Sequence, residues 1–100
     1  MIIEFQGEAI GWRGPAPFVF VPVPPDLSAE IKSISRLVTY GWGVIPVVGQ
    51  IGNTEFKTSM IPRGEIYLVP IKAVVQRAEG IGVGDSVDIR LEVVAYDGAP

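Results

Sequence analysis

The side chains available for chemistry are carboxylates, hydroxyls, lysines and arginines, because the sequence has no cysteine and no histidine. This composition excludes thiol nucleophiles, Ser–His dyads, disulfides and zinc sites built on Cys or His. Ser59 could form a Ser–Lys dyad with Lys57 or Lys72, but a nucleophilic serine needs a strained elbow and an oxyanion hole. A regular strand through Thr58 and Ser59 offers neither. We therefore expect no enzymatic activity, no metal and no cofactor.

Paired carboxylates could serve acid–base chemistry if they shared a cleft. Asp85 lies in a predicted turn, where its side chain can bond to nearby backbone N–H groups, and Asp88 faces outward from a predicted strand. Glu4 and Glu8 share a strand face but stand roughly 13 Å apart at the strand rise, which is too far for a pair. We interpret all four as solvated or turn-stabilising.

Phosphate or nucleic-acid binding is suggested by one segment of the sequence and disfavoured by its charge balance. The glycine-rich segment 80–85 resembles a phosphate loop, but such a loop leaves a strand and opens a helix. Here it closes a predicted helix and opens a strand, which favours a helix cap and a turn. The chain also has eight basic residues against eleven acidic ones, with a net charge of −3. Because phosphate binding uses many Lys and Arg contacts, this balance disfavours nucleic acid as a partner.

The most unusual segment is Tyr40-Gly41-Trp42-Gly43, in which glycines flank two amphipathic rings. The rings could form an aromatic platform for a ligand or a partner, as interface hot spots do. Alternatively, Trp42 could close one end of a barrel while the glycines let the chain cross over it. Both interpretations stay open at this point.

The elements that position these residues are mostly strands. The chain has 100 residues, of which 48% are hydrophobic and 19% are charged, and Val and Ile far outnumber Leu. One folded domain over residues 1–95 with a loose tail at 96–100 is expected. Alternation and turn residues predict strands at 2–12, 18–21, 44–51, 54–61, 66–69 and 87–93.

Two short helices are predicted between these strands. The first follows Pro22–Pro25, with Asp26 or Ser28 as its cap. Its apolar face is predicted to comprise Leu27, Ile31, Ile34 and Val38. The second places Ile71, Val74, Val75 and Ala78 on one face, with Gly80 at its C-terminal cap. Gly52-Asn53 predicts a two-residue hairpin turn.

Two segments of the sequence resemble each other, Phe18–Val23 and Ile66–Ile71. Each is an apolar strand that ends in Val-Pro and leads into a predicted helix. This repetition agrees with a pseudo-twofold barrel. A closed barrel would also remove the unpaired edges of six short apolar strands. We therefore predict a mainly β fold, a small closed six-stranded barrel with two short helices.

Five short motifs follow one another along the chain in a specific order. They are Thr39–Val47, Ile51–Gly52, Phe56–Ser59, Tyr67–Lys72 and Ile81–Val87. Together they resemble the bacterial domain-of-unknown-function family numbered 1905, and the resemblance covers Phe5 to Val93. It implies a barrel of the double-split type, related in topology to looped-hinge-helix transcription factors. That family has no established activity, so the resemblance informs the fold more than the function.

These observations favour a non-enzymatic binding or interaction module. The contact surface is predicted around six residues, namely Tyr40, Trp42, Thr58, Ser59, Lys72 and Arg77. Its partner would be a protein or a small ligand, and the chain would be a monomer or a weak homodimer. The N-terminus lacks the basic region and long apolar stretch of a secretion signal, so we expect a cytoplasmic protein without a membrane segment.

Two other functions remain possible from the sequence. A DNA-binding regulator related to the looped-hinge-helix proteins would show salt-sensitive duplex binding that weakens on Lys72→Ala or Arg77→Ala. The acidic balance counts against it. A small-ligand carrier using the barrel mouth would instead show ligand-dependent thermal stabilisation.

Overall fold

The fold is a curled antiparallel sheet in which two strands each lead directly into a helix. The computed structural model describes residues 1–12, 18–35 and 43–93, so Tyr40, Trp42 and the predicted tail lie outside the described residues. Seven strands and two helices lie wholly within these ranges. They are β1 (Ile2–Glu8), β2 (Ile10–Trp12), β3 (Phe18–Pro22), α1 (Pro25–Ser33), β4 (Ile45–Ile51), β5 (Thr54–Arg63), β6 (Ile66–Ile71), α2 (Ala73–Glu79) and β7 (Ser86–Val93).

The strands pair in the order β1-β7-β4-β5-β6-β3-β2. β5 connects the two halves of this sheet, because its first part pairs with β4 and its last residues, Ile61–Arg63, pair with β6. Among the described residues, no ladder of hydrogen bonds joins β1 to β2. The sheet is therefore an open half-barrel of seven strands, and the predicted closed barrel of six strands is wrong.

The seventh strand arises because the predicted strand 2–12 is divided at Ala9. The Ala9 N–H donates to the Asp85 carbonyl, and the Ala9 carbonyl accepts from the Gly84 N–H, both at 2.8 Å. The turn before β7 thus satisfies the backbone of Ala9, which would otherwise pair with a strand. On either side of this residue, β1 pairs with β7 and β2 pairs with β3, so the chain passes from one edge of the sheet to the other.

Gly7 allows β1 to approach β3 across the curled sheet. A Cβ atom at Gly7 would lie 2.7 Å from Val21 Cγ1 and 3.1 Å from the Pro22 carbonyl oxygen. The register of β1 with β7 is unbroken from Ile2 to Glu8, so Gly7 forms no bulge in that ladder. Gly7 lets β1 and β3 approach each other closely, because a residue with a side chain would not fit between them.

The core lies on the concave face of the sheet. The alternation predicted for β7 is confirmed, because its apolar residues are buried and its charged residues are exposed. The apolar side chains of the core that are less than 1% exposed are Ala9, Val21, Ile31, Ile45, Met60, Val69 and Leu91. Within the described residues, neither helix has the length and apolar character needed to cross a bilayer.

Both helices depart in part from the sequence prediction. α1 begins after Pro24, which makes no side-chain cap, so neither Asp26 nor Ser28 is the N-cap. Pro25 begins the helix with a backbone angle that is already helical. The apolar face predicted for α2 is wrong in part, since Ile71 and Val75 are buried whereas Val74 is 59% exposed and Ala78 is exposed.

The two similar segments of the sequence form the paired strands β3 and β6. Val19 pairs with Ile71 and Val21 with Val69, and the Val23 N–H donates to the Tyr67 carbonyl at 2.9 Å. Val19 and Tyr67 hold equivalent places in the two segments, and so do Val23 and Ile71. The register therefore relates the two segments by a local twofold, although the sheet as a whole is not the closed pseudo-twofold barrel that we predicted.

This twofold extends into the helices. The residue before each helix has nearly the same backbone angles, with φ −55° and ψ 151° at Pro24 and φ −64° and ψ 150° at Lys72. Four residues after Pro24 and four residues after Lys72, a side chain donates a hydrogen bond to the backbone carbonyl of the residue five positions earlier in the chain. Ser28 Oγ donates to the Val23 carbonyl at 3.1 Å, and Gln76 Nε2 donates to the Ile71 carbonyl at 2.8 Å.

Ser28 closes the first of these two junctions. Its hydroxyl is fully buried, donates to the Val23 carbonyl and accepts from the Tyr67 N–H at 3.2 Å. The hydroxyl thus bridges one carbonyl and one N–H at the end of the β3–β6 ladder, and it attaches α1 to both strands. Burial also raises the pKa of the Tyr67 phenol above its usual value of 10.0.

Ser28→Ala is expected to lower the free energy of unfolding by about 1–3 kcal/mol, because it leaves a buried N–H and a buried carbonyl without the bridging hydroxyl. Chemical denaturation measures this loss. Ser33→Ala is the matched control, since Ser33 Oγ bonds the Glu30 carbonyl on the exposed side of the same helix. Its expected effect is within about 0.5 kcal/mol. Equal losses for both variants would contradict the bridging role.

Candidate functional site

A cavity lies at the second junction, where β3 begins, β6 ends and α2 begins. Its volume is about 380 Å³. This size falls at the small end of the range for ligand pockets, which is roughly 300–1,000 Å³. The lining residues are Phe18, Val19, Thr58, Pro70, Ile71, Lys72, Ala73 and Gln76.

Thr58 lines this cavity from the same face of β5 as Phe56 and Met60. It lies between Phe56 and Met60 on that face, and both of these neighbours are buried while Thr58 is half-buried. An apolar side chain is the usual choice at such a position. Because Thr58 borders a cavity, its hydroxyl need not be enclosed by the core.

Lys72 supplies the positive charge. It is exposed and precedes α2, and its carbonyl accepts from the N–H groups of Val75 and Gln76 at 3.0 Å each. In the parts of the chain that the structure describes, no carboxylate forms an ion pair with the Lys72 ammonium. No acidic side chain lines the cavity in those parts either. The cavity is therefore electrostatically suited to an anionic group.

The remaining walls are mainly apolar. Val19 and Ile71 belong to the buried core, whereas Phe18 is 55% exposed. The Phe18 ring is 6.2 Å from the Phe20 ring, at an interplanar angle of 36°, so one side of it packs on the sheet. Gln76 is held along the wall by its bond to the Ile71 carbonyl.

Two sets of hydrogen bonds hold the C-terminal end of α2 in place. Gly80 caps it in the left-handed conformation, at φ 64°, and the Ile81 N–H donates to the Gln76 carbonyl at 2.9 Å. This is the C-cap that the sequence predicts. Thr54 Oγ1 also donates to Glu79 Oε2 at 2.6 Å, which ties the end of the helix to the β4–β5 hairpin.

The hairpin turn accommodates the carboxylate of Glu79. Gly52 occupies the first turn position at φ 56°, and a Cβ atom there would overlap the Glu79 carboxylate. The predicted two-residue turn at Gly52-Asn53 is confirmed by the pairing of Ile51 with Thr54. The glycine therefore serves both the turn and the packing of α2.

The structure brings together only part of the predicted contact surface. Thr58 and Lys72 line the same cavity. Ser59 lies on the opposite face of β5, as strand alternation requires, and Arg77 is exposed on α2 outside the cavity lining. Tyr40 and Trp42 lie outside the described residues, so their place in the predicted surface stays a prediction.

Sequence reasoning missed Phe18 and Gln76. A signal for Gln76 was present in the sequence, because Gln76 follows the end of the second similar segment by five residues, just as Ser28 follows the end of the first. Neither residue type suggests chemistry on its own. Only the β3–β6 register shows that Phe18 and Gln76 border one space.

The other candidates for chemistry are accounted for by the structure. Asp85 Oδ2 accepts from the Gly82 N–H at 2.7 Å, which confirms its predicted role in the turn. Ser59 and Lys72 occupy opposite faces, which does not suit a dyad. Within the described ranges, no three His, Cys, Asp or Glu side chains are grouped so that they could hold a metal ion.

A second cleft, of about 470 Å³, lies on the charged face of β1, β7 and β4. Its lining residues are Glu4, Gln50, Gly52, Asp88, Ile89 and Arg90. Arg90 Nε lies 3.6 Å from Glu4 Oε1, and both side chains are largely exposed. Such a pair contributes about 0–1 kcal/mol. The pair already engages Arg90, and the lining has few apolar side chains, so this cleft is a weaker candidate than the cavity beside Lys72.

The fold and the cavity define a small half-barrel domain with an apolar pocket beside a lysine. The family described as Domain of unknown function (DUF1905) matches residues 5–91, and the chain belongs to this family. This result confirms the resemblance found in the sequence. A search of curated proteins gives no match to the chain.

Thr54→Val is expected to lower the free energy of unfolding by about 1 kcal/mol, because it removes the hydrogen bond that holds the end of α2. Amide hydrogen exchange should show faster exchange at the Ile81 N–H, whose bond caps the helix. Glu55→Gln is the control, an exposed carboxylate beside Thr54 on the same strand. Unchanged exchange in Thr54→Val would show that the bond does not hold the helix.

Proposed function

We propose that this domain is a non-enzymatic binding module that takes a small ligand in the cavity formed by β3, β5, β6 and α2. The observation that carries the proposal is the difference between the two related junctions of the fold. The first is closed by the buried Ser28 hydroxyl, whereas the second contains a cavity lined by Thr58 and Lys72.

The two junctions differ because the chain has different residues at equivalent positions beside α1 and α2. Pro24 precedes α1, while the basic residue Lys72 precedes α2, and an acidic residue (Asp26) lies in the first turn of α1 only. Ser28 bonds both strands, whereas Gln76 bonds the Ile71 carbonyl. The second junction instead offers an open, partly apolar space with a lysine among its lining residues. Such a combination of apolar walls and a few polar groups is typical of ligand sites and supports a binding role.

The side chains around the cavity support binding more than catalysis. In the described part of the chain they provide a hydroxyl, an ammonium and an amide, with no carboxylate. Without histidine or cysteine in the sequence, this set contains no evident general base beside the Thr58 hydroxyl. The predicted cytoplasmic location, the predicted monomer or weak homodimer and a protein partner at Tyr40 and Trp42 belong to the same proposal.

The test is a thermal-shift screen of small acids, bases and neutral compounds against the wild type and two tryptophan variants. Ala73→Trp fills the cavity from its lining, and Ala78→Trp places the same side chain on the exposed surface of the same helix. A compound present at a hundred times its Kd should stabilise the wild type by about 2.7 kcal/mol. That corresponds to a rise in Tm of roughly 10 °C or more for a domain of this size.

We expect compounds that stabilise the wild type to stabilise Ala78→Trp equally and Ala73→Trp little or not at all. If no compound raises Tm, or if Ala73→Trp responds as the wild type does, the proposed use of the cavity is wrong. Folding of Ala73→Trp is checked by its circular dichroism and by a cooperative melt.

A further inference from the structure

We infer that the ligand of this cavity is a small apolar carboxylic acid, held by its carboxylate at Lys72 and Thr58 and by its hydrocarbon part against Phe18 and Ile71. This inference rests on the proposed function and names the ligand class for the same site. It depends on three observations: the charge at the cavity, the hydroxyl beside it, and the apolar character of the other walls.

The charge favours an anion. Lys72 is the cation that borders the cavity in the described part of the chain, and no carboxylate there neutralises it. The nearest acidic side chain along α2, that of Glu79, accepts a hydrogen bond from Thr54 at the opposite end of the helix. A cationic ligand would therefore meet a like charge without compensation, whereas an anionic ligand would form a charge-assisted hydrogen bond.

The hydroxyl favours an anion that also accepts hydrogen bonds. Within the described residues no hydrogen bond engages the Thr58 hydroxyl, which can donate to a ligand oxygen. An ammonium and a hydroxyl together match the two oxygens of a carboxylate. A phosphate group is a poorer match, because it carries more charge than one lysine compensates and phosphate sites are rich in basic side chains.

The other walls favour hydrocarbon. Phe18 is 55% exposed and lines the cavity, and Val19, Pro70 and Ile71 continue the apolar lining. A hydrocarbon group that covers this apolar surface removes it from water, which favours binding. With a volume of about 380 Å³, the cavity suits an acid with one ring or a short chain.

The experiment compares three probes of nearly the same shape by NMR titration of the labelled full chain at low salt. They are hydrocinnamate, its neutral amide hydrocinnamamide, and the cation phenylpropylammonium. We expect hydrocinnamate to bind up to about fivefold more tightly than the amide, which is the upper limit for one exposed ion pair. The cation should bind most weakly, and added salt should reduce the preference for the anion.

Two variants assign this preference to the proposed groups. Lys72→Met should weaken hydrocinnamate binding by up to about fivefold, to the level of the amide, while leaving the Kd of the amide unchanged. Lys57→Met is the matched control, an exposed lysine on the opposite face of β5 from Thr58, and should change neither Kd. Thr58→Val should weaken binding of the acid more than binding of the amide.

The outcomes separate the ligand class from the proposed function. Equal binding of the acid and the amide, or an acid preference that survives Lys72→Met, overturns the carboxylic acid assignment. If no probe binds while other compounds still show stabilisation that Ala73→Trp abolishes, the assignment is wrong and the binding module stands. Failure of every compound in the thermal-shift screen overturns both.

Discussion

The antiparallel pairing of β3 with β6 is the constraint on which the rest of the structure depends. These strands come from two similar segments, and each leads directly into a helix, so their register sets the position of both α1 and α2. It also sets two junctions at opposite ends of one ladder. In the first, the Ser28 hydroxyl satisfies an N–H and a carbonyl that would otherwise be buried without partners. The related second junction has no equivalent buried hydroxyl and instead borders the cavity.

The cavity is a consequence of that asymmetry. At the second junction Gln76 bonds backward along its own segment, and Lys72 takes the place of a proline. The small, buried Ser28 therefore fills the junction at one end of the ladder, while the longer side chains of Lys72 and Gln76 border the cavity at the other end. The tie between Thr54 and Glu79 holds α2 from its far end, so the space does not depend on contacts across the cavity itself.

The open form of the half-barrel also has a local cause. Ala9 is bonded by the turn that precedes β7, which divides a single long strand and sends its two parts to different edges of the sheet. Gly7 then brings β1 close to β3 without a ladder between them. The division at Ala9 and the absent Cβ at Gly7 together give a curled sheet whose concave face carries the core and Thr58.

Local patterns in the sequence determined the strands, the hairpin at Gly52-Asn53, the cap at Gly80 and the exclusion of thiol and imidazole chemistry. These follow from alternation, turn geometry and composition, which act over a few residues. Tertiary structure decided the division at Ala9, the pairing of β3 with β6, and the meeting of Thr58 with Lys72 at one cavity. Such features depend on which distant backbone groups satisfy each other and where packing leaves a space, and neither is encoded within a single strand or helix.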